Sequence, residues 1–200
     1  MRYDAEHKAR TRQAVLKEAS RAIRAAGPVN VSVAAVMARA GLTHGGFYAH
    51  FESRDALLAA SVEAAFADSA LRLERAGGGG GADPRAALAS YVTAYLAAGH
   101  VPERARGCPL AALATDMPRL NEDAREHFAA GLGRIAARLA SLLEEAGIAE
   151  PQVAAASALA EMVGALALAR AVPGGAQAGA ILDGSRRALL YRFGLKEFIT

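Results

Sequence analysis

Residues 40–58 read AGLTHGGFYAHFESRDALL. They close a short apolar-periodic run, Val33, Val36, Met37 and Ala40. Gly41 stops that run as a residue free to take a left-handed C′ conformation. Thr43 is the expected N-cap of the next helix, its hydroxyl placed to accept from the backbone N–H groups of Gly45 and Gly46. That short helix is expected over 44–51, with a second start at Ser53-Arg54-Asp55. Two short helices joined by a tight glycine turn form a helix-turn-helix, whose second helix enters a DNA major groove N-terminus first.

The residue types suit that task. Gly45 and Gly46 each cost a helix roughly 1 kcal/mol relative to alanine, but they remove bulk where backbone must approach a phosphate or a base edge. His44 is the leading side chain and the base-reading candidate, while Tyr48 and His50 carry polar tips suited to phosphate oxygens. Phe47 and Phe51, four apart, can anchor the opposite face. Chemistry alone also allows a glycine-weakened surface helix with a buried aromatic pair.

From about residue 13 to residue 58 the chain resembles the N-terminal domain of TetR-type bacterial transcriptional regulators. The resemblance rests on Ala19, Ile23, Gly27, Ser32 and Val36, then AGLT, Gly45, Phe47-Tyr48, His50-Phe51, and Arg54 before Leu57-Leu58. Met37 stands where alanine is usual and Arg54 where lysine is usual, and two glycines fall in the recognition helix. The resemblance implies a palindromic double-stranded operator bound by a homodimer. Ser32, Thr43, His44, Gly45, Gly46, Tyr48, His50 and Arg54 are then the expected DNA-binding residues.

Composition agrees with an all-α chain. Hydrophobic residues make up 53%, much of it alanine, and tryptophan is absent; β-branched and aromatic residues are sparse. No uncharged run of eighteen apolar residues and no apolar leader is present, so the expectation is a soluble cytoplasmic protein with no membrane partner. Net charge is only +3. Residues 1–60, however, hold nine Lys/Arg against five Asp/Glu, which puts the positive excess in the helix-turn-helix third, as phosphate binding requires. A single cysteine excludes an intrachain disulfide and a cysteine-rich metal site.

Along the chain, Lys8, Arg10, Arg12 and Lys17 form a basic lead-in to a first helix whose stripe is Val15, Ala19, Ala22 and Ala26, widened by Leu16 and Ile23. Ser32 is expected to cap the next helix and can also meet a phosphate. A long helix runs from Ser53 to about Ala76, and five glycines at 77–81 then make the clearest break in the chain. The boundaries expected are 1–56 for a three-helix helix-turn-helix domain and 57–200 for a larger helical-bundle domain of ligand binding and dimerisation, about nine helices in all. Asp83 and Pro84 open a helix ending near Gly99-His100. Cys108-Pro109 opens a short one, Pro118 a long one, Pro151 a nearly all-apolar one, and a last one begins after Pro173-Gly174-Gly175. A helix apolar nearly all round must be covered on several sides. A symmetric partner over the last two helices is the natural cover.

Cys108 would be the N-cap of its helix, where exposed N–H groups and the helix dipole stabilise a thiolate, with Arg104 or Arg106 adding charge. Tyr91, Tyr95, Cys108, Phe128 and Met162 are the candidate ligand-binding residues; His100 and His127 are expected on the surface. No metal-spaced cluster, nucleophile elbow or phosphate loop is present: neither Gly77–Gly81 nor Gly131-Leu132-Gly133 comes after a strand. No cofactor is expected, and no enzyme. The expectation is a homodimeric DNA-binding regulator, a repressor released by a small molecule or by an electrophile or oxidant. The alternative is an all-α small-molecule or thiol-redox protein whose helix-turn-helix is only architectural.

Overall fold

The computed structural model describes residues 2–76 and 83–198, with side chains from 6–69 and 83–198. The glycine run at 77–81 lies outside the described residues. Among the described residues eight α-helices span Arg2–Ala26 (α1), Val33–Arg39 (α2), Arg54–Ala76 (α3), Pro84–Tyr95 (α4), Pro109–Leu113 (α5), Glu122–Glu145 (α6), Pro151–Ala171 (α7) and Gly175–Arg192 (α8). His44–Ala49 is a helix too, but wound as 3-10, so the nine expected helices are all found. Shorter 3-10 turns occupy Pro28–Asn30, Ala98–His100, Met117–Arg119 and Lys196–Phe198. No strand occurs among the described residues.

By packing the chain divides into two compact units, residues 1–69 with 104–131, and 70–103 with 132–200. In the first, α1 buries Val15, Leu16, Ala19 and Ile23, a stripe at three- and four-residue spacing. Val36 and Met37 of α2, Phe47, Phe51, and Leu57, Leu58, Val62 and Phe66 of α3 complete one core with Leu110 and Leu113 of α5. Each such side chain contributes about 1.5–3 kcal/mol when fully buried. Gly41 takes φ 75, and the bonds Gly41 N to Ala38 O (3.0 Å) and Leu42 N to Met37 O (2.9 Å) close a Schellman motif on α2. That sharp stop lets the chain re-enter as the 44–49 helix. α3 starts beside the expected Ser53, which caps it, its Oγ accepting from Ala56 N–H at 3.0 Å.

One buried cation holds this unit together. Leu16, Ser20 and Arg24 continue one line along α1, and all three are buried. The Arg24 guanidinium donates to the carbonyls of Arg106 (3.3 Å) and Gly107 (3.2 Å), to Ser20 O through Nε (3.1 Å), and to the Asp68 carboxylate at 2.9 Å. It thereby fixes the segment leading into α5. Phe66 and Phe128 pack edge to face at 5.4 Å, directly over Gly131.

The second unit is built on α7 and α8. α7 buries Ala155, Ala158, Leu159, Met162, Ala165, Leu166 and Ala169, and α8 buries Ala178, Leu182, Leu189 and Leu190. α4 adds Leu88, Tyr91, Val92 and Tyr95. Arg85 donates to Gly194 O, Arg192 pairs with Glu161, and Arg170 donates to the carbonyls of Val101 (3.2 Å) and His100 (3.1 Å). By length and composition α7 could cross a bilayer; here one face of it packs on α8 and its Glu161 pairs with Arg192 of that helix.

Several expected helix limits change, among them the 44–51 helix, which ends at Ala49. The long helix expected from Pro118 starts at Glu122, because Met117–Arg119 closes as a 3-10 turn and Leu120 is extended. The restart is capped by Asn121, whose Oδ1 accepts from Ala124 N–H at 3.2 Å. The helix expected to reach Gly99 stops at Tyr95, with Ala98–His100 a separate turn.

Candidate nucleic-acid interface

The 44–49 helix departs from the sequence expectation in its winding. Gly46 N–H donates to Thr43 O (3.1 Å) and His50 N–H to Phe47 O (2.9 Å), both i to i+3. Thr43 sits at the N-cap, but its hydroxyl makes no capping bond. The backbone carbonyl replaces it: a 3-10 turn draws the Gly46 N–H to Thr43 O, and the expected hydroxyl acceptance is corrected. The Thr43 side chain is left exposed.

Winding and core contacts then sort the side chains. Phe47 is 2% exposed, stacks on Phe51 at 5.8 Å and takes the edge of Tyr48 at 5.2 Å. The aromatic anchor expected at i and i+4 is present. Tyr48, by contrast, is 73% exposed. His44 and Gly45 are exposed and Gly46 is half-buried. Thr43, His44, Gly45 and Tyr48 therefore lie on the open side of one short helix, held from behind by one aromatic pair.

His50 stands at the C-terminal end of that helix. It is half-buried, and its Nδ1 is buried with no hydrogen-bond partner among the described residues. Loss of hydration holds its pKa below the ordinary 6.5, and the charges of Lys8, Arg12 and His7 push the same way. All three belong to α1, so the basic lead-in of the sequence borders this helix. Arg12 lies 5.0 Å over the Phe51 ring, a cation–π contact. Neither Lys8 nor Arg12 has an ion pair among the described residues. Ser32 is exposed and caps α2, its Oγ accepting from Ala35 N–H at 3.4 Å.

Arg54 behaves differently from the other residues expected to bind DNA. Its Nη2 donates to Pro28 O (2.8 Å) and Val29 O (3.1 Å), and its Nε lies 3.4 Å from Val31 O. The side chain reaches back to the turn between α1 and α2.

The ligand candidates are divided. Tyr91, Tyr95 and Met162 are buried in the second unit, the two tyrosine rings 6.3 Å apart, and Tyr95 packs edge to face on His100 at 5.0 Å. Cys108 and Phe128 belong to the first. Cys108 does stand at the N-cap of α5, but that helix has five residues and the thiol makes no capping bond. Cys108 is 6% exposed. A cleft of about 390 Å³ in the first unit is lined by Arg54, Asp55, Leu58, Arg119 and neighbours, and none of the five ligand candidates contributes to it. No metal-holding group of His, Cys, Asp and Glu occurs among the described residues. Sequence reasoning missed Arg24 and the Arg12–Phe51 contact. The signal for the first was an arginine in line with Leu16 and Ser20.

Residues 15–61 match the family described as bacterial regulatory proteins, tetR family, and residues 84–183 match the tetracyclin repressor-like C-terminal domain. Among solved structures, the chain is similar to a TetR transcriptional regulator from Chloroflexus aurantiacus at 21% identity. That match covers 94% of this chain and 96% of the other, with a TM-score of 0.78. It is similar to reduced Escherichia coli NemR at 21% identity, TM-score 0.77, covering 90% and 94%. A TetR-family regulator from Agrobacterium tumefaciens matches at 22% identity and TM-score 0.76, covering 92% and 98%. No curated protein sequence matches the chain.

Proposed function

The chain belongs to the tetR family of bacterial regulatory proteins and is a DNA-binding transcriptional regulator; from that premise we propose that it is a homodimeric repressor released from a palindromic operator by a small-molecule signal. The observation that carries the DNA reading is a cation cluster without counter-charge. The two cations are Lys8 and Arg12, which stand near half-buried His50 at the end of the exposed 44–49 helix; neither has a carboxylate partner among the described residues. Charges left without a counter-ion suit a phosphate backbone. Tyr48 and Ser32 add neutral phosphate contacts, and His44 leads toward the base edges.

An exposed apolar stripe supports dimerisation. On α7, Val153 (65% exposed), Ala156, Ala160, Ala167, Leu168 (59%) and Ala171 recur at helical spacing; on α8, Ala180, Ala188 and Tyr191 (63%) do the same. Small residues allow two such helix pairs to approach closely, and a two-fold pairing presents two recognition helices to two half-sites. Tyr91, Tyr95 and Met162 are the proposed effector-facing residues of the second unit. A thiol signal is the weaker reading, because modification of buried Cys108 requires the segment that Arg24 holds at Arg106 and Gly107 to open first.

Binding to the protein's own promoter DNA, titrated against salt, tests the regulator. Nanomolar affinity that falls steeply with salt is expected. Lys8→Ala should lower the salt slope by about one, and His44→Ala should change the preference among sequences without changing the slope. Indifference to every promoter fragment at low salt removes the reading.

A further inference from the structure

We propose that Arg54 is a positioning residue, not a phosphate contact: its guanidinium clamps the turn between α1 and α2 and so sets where α2 and the 44–49 helix stand. The inference rests on the DNA-binding reading above and changes what one of its residues does.

Three carbonyls of one turn converge on this side chain. Nη2 lies 2.8 Å from Pro28 O, 3.1 Å from Val29 O and 3.5 Å from Val31 O, and Nε lies 3.4 Å from Val31 O. Among the described residues Arg54 makes no ion pair, so the clamp is its whole set of polar contacts. The turn it holds is anchored by buried Pro28 and Val31 and runs straight into Ser32, the N-cap of α2. α2 in turn packs against the 44–49 helix, with Met37 reaching within 3.8 Å of where a Gly46 Cβ would stand. A displaced turn would carry Ser32, α2 and the recognition helix with it. Reach matters here: Nη2 alone meets the three carbonyls, and it stands one bond beyond the position a lysine ammonium takes, while lysine also lacks the Nε donor to Val31 O.

The experiment has a DNA-free arm and a DNA arm, each on the full-length protein. Amide exchange of the unliganded Arg54→Ala and Arg54→Lys proteins is measured at 27–42, with α7 and α8 as internal reference. Both variants should exchange at least about tenfold faster over 27–42 and unchanged over α7 and α8. In the DNA arm both should bind operator about tenfold more weakly, with the wild-type salt slope. Lysine should not rescue. A phosphate contact through Nη1, the arm that the turn leaves over, gives the opposite pattern: Arg54→Ala loses about one unit of slope and Arg54→Lys restores affinity. Normal exchange over 27–42 in both variants, or rescue by lysine, overturns the proposal. Because the exchange arm needs no DNA, it judges the clamp even if wild-type protein binds no operator, a result that would count against the regulator reading alone.

Discussion

Glycine serves opposite ends in two regions of this molecule. At Gly131 of α6, a Cβ would stand 2.2 Å from the Phe66 ring, and that ring is buried and packed on Phe128. At Gly45 a Cβ would meet nothing within 4 Å, and at Gly46 only ordinary contacts with Met37 and Thr43. Neither Gly45 nor Gly46 has a positive φ. The fold therefore demands glycine at 131 and is indifferent to it at 45 and 46. The contrast sets a glycine that packing requires against two that packing does not require, and the proposed DNA contact is what would require them.

The largest expected effect tests the packing side. Gly131→Ala forces the Phe66 ring from its seat against Phe128, and overpacking of this kind costs about 3 kcal/mol. For a chain of this size the melting temperature should fall by about 6–12 °C, read by circular dichroism. Operator affinity per folded molecule should be unchanged. A melting temperature within a degree of wild type would show that α3 and α6 cross less closely than described.

Gly45→Ala and Gly46→Ala should do the reverse. With no positive φ and no close contact at either position, each change should leave stability alone or raise it by up to about 1 kcal/mol, through the unfolded chain. Operator affinity should drop about tenfold, about 1.4 kcal/mol, as a methyl group holds the backbone off the phosphate or base edge. Were both variants to bind like wild type, the glycines would be no part of the interface, and the contrast with Gly131 would fail.

These two regions also show which features a sequence exposes. The Phe47–Phe51 anchor, the Gly41 stop and the Ser32 and Ser53 caps are local: each depends on neighbours within a few residues, so spacing alone exposes them. Gly131 is visible in the sequence only as part of a false phosphate-loop pattern. Its partner Phe66 lies on another helix, and no periodicity says where two helices cross. Arg24 and Arg54 are obscure for the same reason, their acceptors being carbonyls of distant turns. The Thr43 cap fails for a subtler reason. The residue type is right for an α-helix, but the 3-10 winding gives the donor to a backbone carbonyl instead. In α7, alanine on every side hides which face is core, and the ligand candidates, drawn from several helices, are divided between the two units.

The smallest effect sharpens the contact side, at His50. Its folded-state pKa is lowered, chiefly by loss of hydration and then by Lys8, Arg12 and His7, whereas in the unfolded chain it returns to about 6.5. Below that value the unfolded state binds the proton more readily than the folded one, so stability should decline as pH falls from about 7 toward 5. His50→Gln cannot take up the proton. Its melting temperature should track wild type above pH 7 and then lie progressively higher as the solution is acidified. Bound operator DNA should narrow that gap without closing it, because phosphates offset the field of Lys8 and Arg12 but leave the imidazole dehydrated. Parallel melting curves for the two proteins across the range would mean that His50 is hydrated and unburdened. It would then stand with Gly131, as a residue that the fold itself accommodates at no cost.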